Sequence, residues 1–337
     1  MINVAVVGTG AWGINHVRTF ARAKGVEVTM VCDPAPGAVE RAQKLAPRAR
    51  AASDLETVLA ASNVDAVVLA TPAVLHAKQA IAALGAGKHV LVEKPLALTT
   101  ADARAVALAA EQAGKVLMVG HLMLYHPVIS WLRRFIDGGE LGRILYLYAL
   151  RVNLGTLRRD ENAMWSLAPH DISMILHLVG ETPATVSARG GCYLQKGVED
   201  VAFLNIRFPS GLLAQVQLSW LDPRKERRLT IVGSQKMVEF DDAHPVEKLR
   251  IYDKGYDRPP SFTEYAEYLS IRNGDIHIPR VPMAEPLEQE CRHFVDCIAN
   301  NQRPLTDGSA AVRVVQILEA AQQSLLADGS PVPIPAG

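Results

Sequence analysis

Apolar residues in the first third of the chain form short continuous runs, separated by segments with helical periodicity. Such runs are typical of strands that are buried on both faces of a parallel sheet. Because strands and helices alternate, the pattern predicts a doubly wound parallel α/β sheet over residues 1–122. The predicted strands are 2–7, 26–32, 64–70, 89–92 and 115–119, and the helices between them include 38–45, 73–84 and 99–113.

The pattern changes after residue 122, where strand-like runs dominate. Residues 215–220 alternate between polar and apolar side chains, as in a sheet with one buried face. The short turn at 209–211 predicts an antiparallel pair. We therefore predict a second domain over 123–337, with the last helices able to pack back on the first domain. Its predicted strands are 144–152, 185–193, 201–208, 212–221, 228–232, 237–240 and 249–252, its helices are 127–136, 168–178, 288–300 and 309–327, and 256–286 is predicted as a long loop.

A glycine-rich turn joins the first predicted strand to the first helix. Gly8 permits the tight turn, Gly10 leaves room for a pyrophosphate, and Gly13 lets the helix pack close to the sheet. Asp33 follows Gly13 by 20 residues, at the end of the second strand, where an acid can bind the adenosine ribose hydroxyls. This order predicts a Rossmann dinucleotide-binding domain. A carboxylate would repel a 2′-phosphate, so we expect NAD rather than NADP.

Ligands of open α/β sheets bind beyond the carboxyl ends of the strands. The residues at those ends are therefore expected to line the cofactor cleft. His76 could equally have a surface role on its helix. Besides the glycines and Asp33, the candidates are Ala11, Trp12, Thr71, Pro72, His76, Glu93, Lys94 and His121.

Two residues are candidates for catalysis. Lys94 directly follows a parallel strand, where its ammonium can bind a substrate hydroxyl; a surface lysine paired with Glu93 is the alternative. His170 lies near Pro169 and Asp171, which suit the first turn of a helix. A helix N-terminus disfavours the imidazolium, so His170 could act as a base, or it could simply make a structural hydrogen bond.

Basic residues of the second domain could bind an anionic substrate. Arg158 and Arg159 precede two acidic residues, so a solvated or intersubunit charge cluster is the alternative. For the later basic cluster at 224–228 we favour that alternative. Asn153 and Ser166 complete the predicted substrate contacts, together with Lys94 and His170.

Composition excludes several classes of protein. Net formal charge is +0, so bulk charge does not indicate a nucleic acid or membrane partner. No apolar run approaches the roughly 18 residues of a membrane span, and the N-terminus lacks signal-peptide features. The four cysteines lack CxxC spacing, and paired Cys/His ligand spacing is absent, so we expect reduced thiols, no metal and a cytoplasmic protein.

The glycine turn, Asp33, the Glu93-Lys94-Pro95 triplet and the helix of His170 together resemble the Gfo/Idh/MocA oxidoreductase family. The resemblance implies a Rossmann domain joined to an α/β domain with a large, mostly antiparallel open sheet, which commonly pairs subunits into dimers or tetramers. It also implies a catalytic lysine, Lys94, and a histidine, His170. The family acid four residues before that histidine is Ser166 here, which puts a strict lysine–acid–histidine triad in doubt.

Several runs of the second domain are most similar to the sugar-nucleotide dehydrogenases of this family. That similarity implies NAD-dependent oxidation of the 3-hydroxyl of UDP-N-acetylglucosamine to a ketone, a step toward lipid A. We expect Lys94 and His170 to converge over the bound nicotinamide, with either one as the base. The alternatives are oxidation of UDP-N-acetylglucosaminuronate or of a free polyol or sugar, and a non-catalytic NAD-sensing regulator on the same fold.

Overall fold

The computed structural model of the chain describes residues 1–155, 158, 161–257 and 270–335. The chain divides into two compact units. The first comprises Met1–His126 and Ala284–Glu319, and the second comprises Pro127–Met283 and Ala320–Gly337.

The first unit is built on a parallel sheet. Its strands are β1 (Ile2–Val7), β2 (Val26–Cys32), β3 (Arg50–Ala52), β4 (Ala66–Leu69), β5 (His89–Glu93) and β6 (Leu117–Gly120). Its helices are α1 (Gly13–Arg22), α2 (Pro36–Leu45), α3 (Leu55–Ala60), α4 (Ala73–Gly85), α5 (Thr100–Ala113), α8 (Pro286–Asn300) and the start of α9 (Gly308–Leu326). Within the described residues the sheet has six strands in the order β3-β2-β1-β4-β5-β6. Every pair is parallel, which confirms the predicted doubly wound α/β sheet.

The edge strand β3 was not predicted, because its three residues, Arg-Ala-Ala, contain no large apolar side chain.

Both faces of the sheet are covered. Val6 lies in one apolar cluster with Phe20 of α1 and Phe294 of α8, whereas Val7 lies in another with Val315 of α9. Full burial of a phenylalanine side chain stabilises a fold by roughly 1.5–3 kcal/mol. The C-terminal helices therefore complete the core of the first unit.

The second unit is built on a larger sheet. Its strands are β7 (Ile144–Leu154), β8 (Thr185–Gly191), β9 (Val201–Arg207), β10 (Leu213–Ser219), β11 (Leu221–Gly233), β12 (Met237–Asp241), β13 (Leu249–Asp257), β14 (Ser270–His277) and β15 (Val332–Pro333). Its helices include α6 (Pro127–Asp137) and α7 (Ala163–Val179). Over the described ranges the sheet has nine strands in the order β14-β13-β12-β11-β7-β10-β9-β8-β15. The pair β10–β7 is parallel and the other pairs are antiparallel, which confirms a mostly antiparallel sheet.

Two predicted features of this unit are wrong. Residues 256–286 are not one loop, because β13 extends to Asp257 and β14 occupies Ser270–His277; the segment between these strands lies outside the described residues. The helix predicted at 168–178 begins earlier, at Ala163. The side chain of Asn162 caps this helix by accepting a hydrogen bond from the Trp165 N–H at 3.0 Å. Pro169 therefore lies inside α7 and does not begin it.

Three further observations concern the described part of the chain. None of its helices is both long and apolar enough to cross a membrane. It contains no group of three His, Cys, Asp or Glu side chains arranged to hold a metal ion. All four cysteines are free thiols, and Cys192 is the exposed one.

Candidate active site

The glycine-rich turn between β1 and α1 has the geometry of a dinucleotide cradle. A Cβ on Gly8 would lie 2.6 Å from the Ala70 carbonyl oxygen, and its φ of +84° favours glycine. A Cβ on Gly13 would lie 1.7 Å from the Gly8 carbonyl oxygen. A Cβ on Gly10, in contrast, would meet nothing within 4 Å. Gly8 and Gly13 are therefore needed for the turn itself, whereas Gly10 keeps open the space in which a pyrophosphate would lie against the start of α1.

Asp33 lies beside this turn. Its carboxylate accepts hydrogen bonds from the Thr9 N–H at 2.8 Å and the Ala35 N–H at 2.9 Å. The bond from Thr9 holds the end of β2 against the turn. An ionised carboxylate has about four acceptor positions, so Asp33 can still accept hydrogen bonds from ribose hydroxyls.

His76 holds the end of β4 to the segment that follows β5. It is buried, and its Nδ1 and Nε2 lie 2.7 Å from the Pro95 carbonyl oxygen and 2.8 Å from the Thr71 carbonyl oxygen. The Thr71 hydroxyl in turn contacts Gln79 at 2.6 Å. A surface role for His76 is therefore wrong, and contacts of His76, Thr71 and Pro72 with the cofactor stay predictions.

Glu93 is buried at the end of β5 and accepts several hydrogen bonds. Its Oε1 accepts from the Trp12 indole N–H and lies 2.6 Å from His16 Nε2, and its Oε2 accepts from the Lys94 N–H at 3.2 Å. Burial opposes ionisation, but the bonds from His16 and Trp12 and the Lys94 charge hold the pKa of Glu93 below its ordinary value. Glu93 therefore carries a negative charge at neutral pH.

His121 follows β6 and is buried, with neither ring nitrogen hydrogen-bonded to any described residue. Burial lowers its pKa to about 4; the Glu93 charge opposes this shift, and the Lys94 charge adds to it. A neutral imidazole with two open nitrogens is a site that a bound polar group can complete. The hydroxyl of Thr9, in the glycine-rich turn, is likewise buried without a partner in the described chain. These open polar atoms and the space at Gly10 fit a dinucleotide.

Lys94 is half-buried, directly after β5, and a cis peptide bond joins it to Pro95. Its ammonium is close enough to Glu93 and His121 to influence the pKa of both. The lysine predicted to be catalytic therefore belongs to the same polar group as the predicted cofactor residues.

His170 is not at the start of its helix, which corrects the sequence-based argument. Because α7 begins at Ala163, His170 lies about two turns inside it, beyond the reach of the positive helix end. Ser166 is four residues earlier and buried, on the same face of the helix. The prediction that a helix N-terminus disfavours the imidazolium form of His170 is therefore wrong.

Asp171 also has a different role from the one predicted. It accepts two hydrogen bonds from Arg151 of β7, at 2.6 and 3.0 Å, and both side chains are buried. This bidentate pair fixes α7 against the sheet at the residue next to His170. Sequence reasoning missed it because the partners are 20 residues apart and in different elements.

The predicted anion-binding residues are placed only in part. Arg158 is exposed and forms an ion pair with Glu161 at 2.7 Å, whereas Arg159 lies outside the described residues. Asn153 is half-buried on β7. In the later basic cluster, Arg228 is half-buried and pairs with Glu226 at 3.1 Å, and the role of this cluster stays a prediction.

Comparison with known proteins agrees with this geometry. A model described as "Oxidoreductase family, NAD-binding Rossmann fold" matches residues 2–121, and one for the Gfo/Idh/MocA C-terminal domain matches residues 129–239. The chain belongs to the Gfo/Idh/MocA family of oxidoreductases, and its cofactor is NAD.

Two curated relatives and two solved structures illustrate the range of the family. The chain is 29% identical over 269 residues to 2,7-anhydro-N-acetylneuraminate hydratase of Escherichia coli, covering 74% of this chain and 70% of the relative. It is 28% identical over 310 residues to UDP-N-acetylglucosamine 3-dehydrogenase of Acidithiobacillus ferrooxidans, covering 91% and 93%. The structure of the latter protein matches with a TM-score of 0.79 at 29% identity, covering 97% of both chains. GenD2 from gentamicin A biosynthesis, in complex with NAD, matches with a TM-score of 0.82 at 26% identity, covering 99% and 97%.

Proposed function

We propose that this protein is a sugar-nucleotide dehydrogenase that oxidises the 3-hydroxyl of UDP-N-acetylglucosamine to the 3-keto sugar with NAD. The observation that carries the proposal is the similarity to the Acidithiobacillus ferrooxidans enzyme, which extends over 91% of this chain. The role of such a product in lipid A synthesis and a cytoplasmic location are parts of the same proposal.

The chain's own residues bind and orient the reactants in this mechanism. The glycine-rich turn would hold the pyrophosphate at Gly10, and Asp33 would accept hydrogen bonds from the ribose hydroxyls. His121 would use its open nitrogens to bind the rest of the cofactor. When bound, the cofactor supplies the acceptor for the hydride that leaves the sugar carbon.

Lys94 is the catalytic residue of the first unit in this proposal. Its ammonium donates to the substrate oxygen and stabilises the negative charge that develops there. His170 takes the hydroxyl proton while Lys94 stays an ammonium. In the alternative, Lys94 starts as the neutral amine, takes the proton itself and stabilises the oxygen as the ammonium so formed. Ser166 cannot carry the charge of the family acid, so Lys94 and His170 do the proton transfer without a carboxylate at that position.

Exposed Arg158 supplies positive charge for the diphosphate, and Arg159 is proposed to do the same. Asn153 and Ser166 contribute hydrogen bonds to the sugar. When the substrate binds, its diphosphate could replace Glu161 as the partner of Arg158, so the guanidinium would stay paired.

A free polyol is the second candidate substrate. It is favoured by the similarity to scyllo-inositol 2-dehydrogenase (NAD(+)) of Bacillus subtilis, at 24% identity over 329 residues, or 93% of this chain. A polyol has no diphosphate, so it would make no use of Arg158.

A substrate panel decides between the candidates. The purified protein is incubated with NAD and either UDP-N-acetylglucosamine, UDP-N-acetylglucosaminuronate or an inositol, and NADH absorbance is recorded. NMR of the product then locates the keto group. We expect reduction of NAD with UDP-N-acetylglucosamine and a ketone at carbon 3. Turnover with inositol alone would establish the polyol candidate, and NADH formation with none of the substrates would favour a non-catalytic role.

A further inference from the structure

His16 is a fully buried histidine beneath the glycine-rich turn, at the third position after Gly13. Its Nε2 lies 2.6 Å from Glu93 Oε1. Its Nδ1 lies 3.7 Å from the Cys291 sulfur of α8. Both ring nitrogens are therefore engaged within the first unit, and neither faces solvent.

The chemistry of the neighbours sets the direction of each hydrogen bond. The Trp12 indole can only donate, and Glu93 is ionised, so its Oε1 can only accept. The Nε2 of His16 must then be a donor to the same oxygen. Burial, with a further contribution from the Glu93 charge, raises the pKa of the Cys291 thiol, which keeps its proton beside His16 Nδ1. The His16 Nε2–H and the Trp12 indole N–H therefore both donate to Glu93 Oε1.

The carboxylate of Glu93 contacts several segments at and around the glycine-rich turn. Trp12 belongs to the turn, His16 to α1 and the Lys94 N–H to the segment after β5. Gly120, at the end of β6, packs so closely that a Cβ there would lie 2.9 Å from Glu93 Oε2. A small change in the orientation of this carboxylate would therefore move both the indole of Trp12 and the peptide of Lys94.

We propose that His16 is a positioning residue for the cofactor site, acting through Glu93 to fix the Trp12 indole and the Lys94 peptide. The inference concerns binding of NAD and not the identity of the sugar. It therefore holds whether or not the proposed substrate is correct.

The test measures NADH affinity by fluorescence titration in the absence of sugar. His16→Met removes the donor with a side chain of similar reach, whereas His16→Gln keeps an N–H donor. His89→Met is the matched control, because His89 is a half-buried, hydrogen-bonded histidine at the opposite end of β5. We expect the NADH dissociation constant to rise roughly ten- to hundredfold in His16→Met, the range for loss of one charge-assisted hydrogen bond. His16→Gln should restore most of the affinity, and His89→Met should bind like the wild type.

A double-mutant cycle separates positioning from general damage to the fold. If His16 acts through Glu93, adding His16→Met to Glu93→Gln should weaken NADH binding by much less than it does in the wild type. Thermal unfolding of the cofactor-free variants shows which of them are folded, and His16→Leu, which also lacks a donor, replaces His16→Met if the latter is not. The proposal would be overturned if the folded variant without the donor bound NADH as tightly as the wild type. It would also be overturned if that substitution weakened NADH binding equally in the wild-type and Glu93→Gln backgrounds.

Discussion

Two buried carboxyl groups of the first unit differ in their surroundings, and this difference decides which one is charged. Glu93 accepts hydrogen bonds from Trp12 and Lys94 and contacts His16. Glu290 of α8 is fully buried, and neither of its oxygens has a hydrogen-bond partner in the described chain. Burial and the Glu93 charge raise the pKa of Glu290 well above 4.5. Glu290 is therefore the neutral acid and Glu93 the carboxylate.

This difference predicts a pH dependence of stability. Above its ordinary pKa of 4.5 the Glu290 carboxyl ionises in the unfolded chain but keeps its proton in the folded one. The folded state then binds more protons, so this residue lowers the free energy of unfolding as pH rises through that window. Glu290→Gln, which cannot ionise, should remove this loss. We expect the gain in thermal midpoint over the wild type to be larger at pH 8 than at pH 5. A difference that does not change with pH would contradict a neutral, buried Glu290.

Two glycines of the glycine-rich turn have different roles, one in folding and the other in ligand binding. Gly13 touches the Gly8 carbonyl, whereas Gly10 borders open space. The two glycines look alike in sequence, but only the structure shows that one serves the backbone and the other the ligand.

We predict opposite phenotypes for alanine at these positions. Gly10→Ala should keep the thermal midpoint of the cofactor-free protein but weaken NADH binding by roughly tenfold or more, because the new methyl group occupies the pyrophosphate space. Gly13→Ala should lower the midpoint clearly, since steric overlap in a packed region costs about 1–3 kcal/mol. Differential scanning fluorimetry and NADH titration measure the two effects. A destabilised Gly10→Ala with normal NADH affinity would show that the cradle is elsewhere.

The elements of the first unit were largely predictable, because continuous apolar runs and glycine punctuation have local causes. Gly114, for example, ends α5 in the left-handed conformation directly after the predicted helix 99–113. The start of α7 was not predictable from Pro169, because the decisive interaction is the Asn162 cap six residues before the predicted start. Candidate site residues could be proposed from the sequence where a single residue type carries the signal, as at Gly10 or Asp33. Their contacts could not be predicted where the partners are remote in sequence: His16 and Glu93 are 77 positions apart.

At the scale of the whole molecule, one face of the second sheet displays exposed apolar side chains. Tyr146 and Tyr148 are two residues apart on β7, so they lie on the same face of the sheet, with exposed fractions of 47% and 37%. Leu213 of β10 lies opposite Tyr146 and is 54% exposed. We propose that this face pairs with a second copy of the chain in a homo-oligomer, a dimer or a tetramer.

A charge on this face should disrupt that pairing. Tyr148→Glu would place a carboxylate in the buried interface, which is costly without a partner, so we expect a smaller assembly by size-exclusion chromatography with light scattering. Val246→Glu is the control, because Val246 is exposed on a turn of the same unit, outside the strands. Identical masses for the wild type and Tyr148→Glu would contradict this interface.

The proposed activity depends on Lys94 acting in the oxidation of a sugar hydroxyl by NAD. The most direct measurement compares NADH formation from UDP-N-acetylglucosamine and NAD by the wild type, by Lys94→Ala and by Lys78→Ala, which removes an exposed lysine of α4. We predict that Lys94→Ala binds NADH normally but turns over about 10²–10⁴-fold more slowly, while Lys78→Ala matches the wild type. Full turnover by Lys94→Ala, with the same 3-keto product, would show that Lys94 is not the catalytic residue.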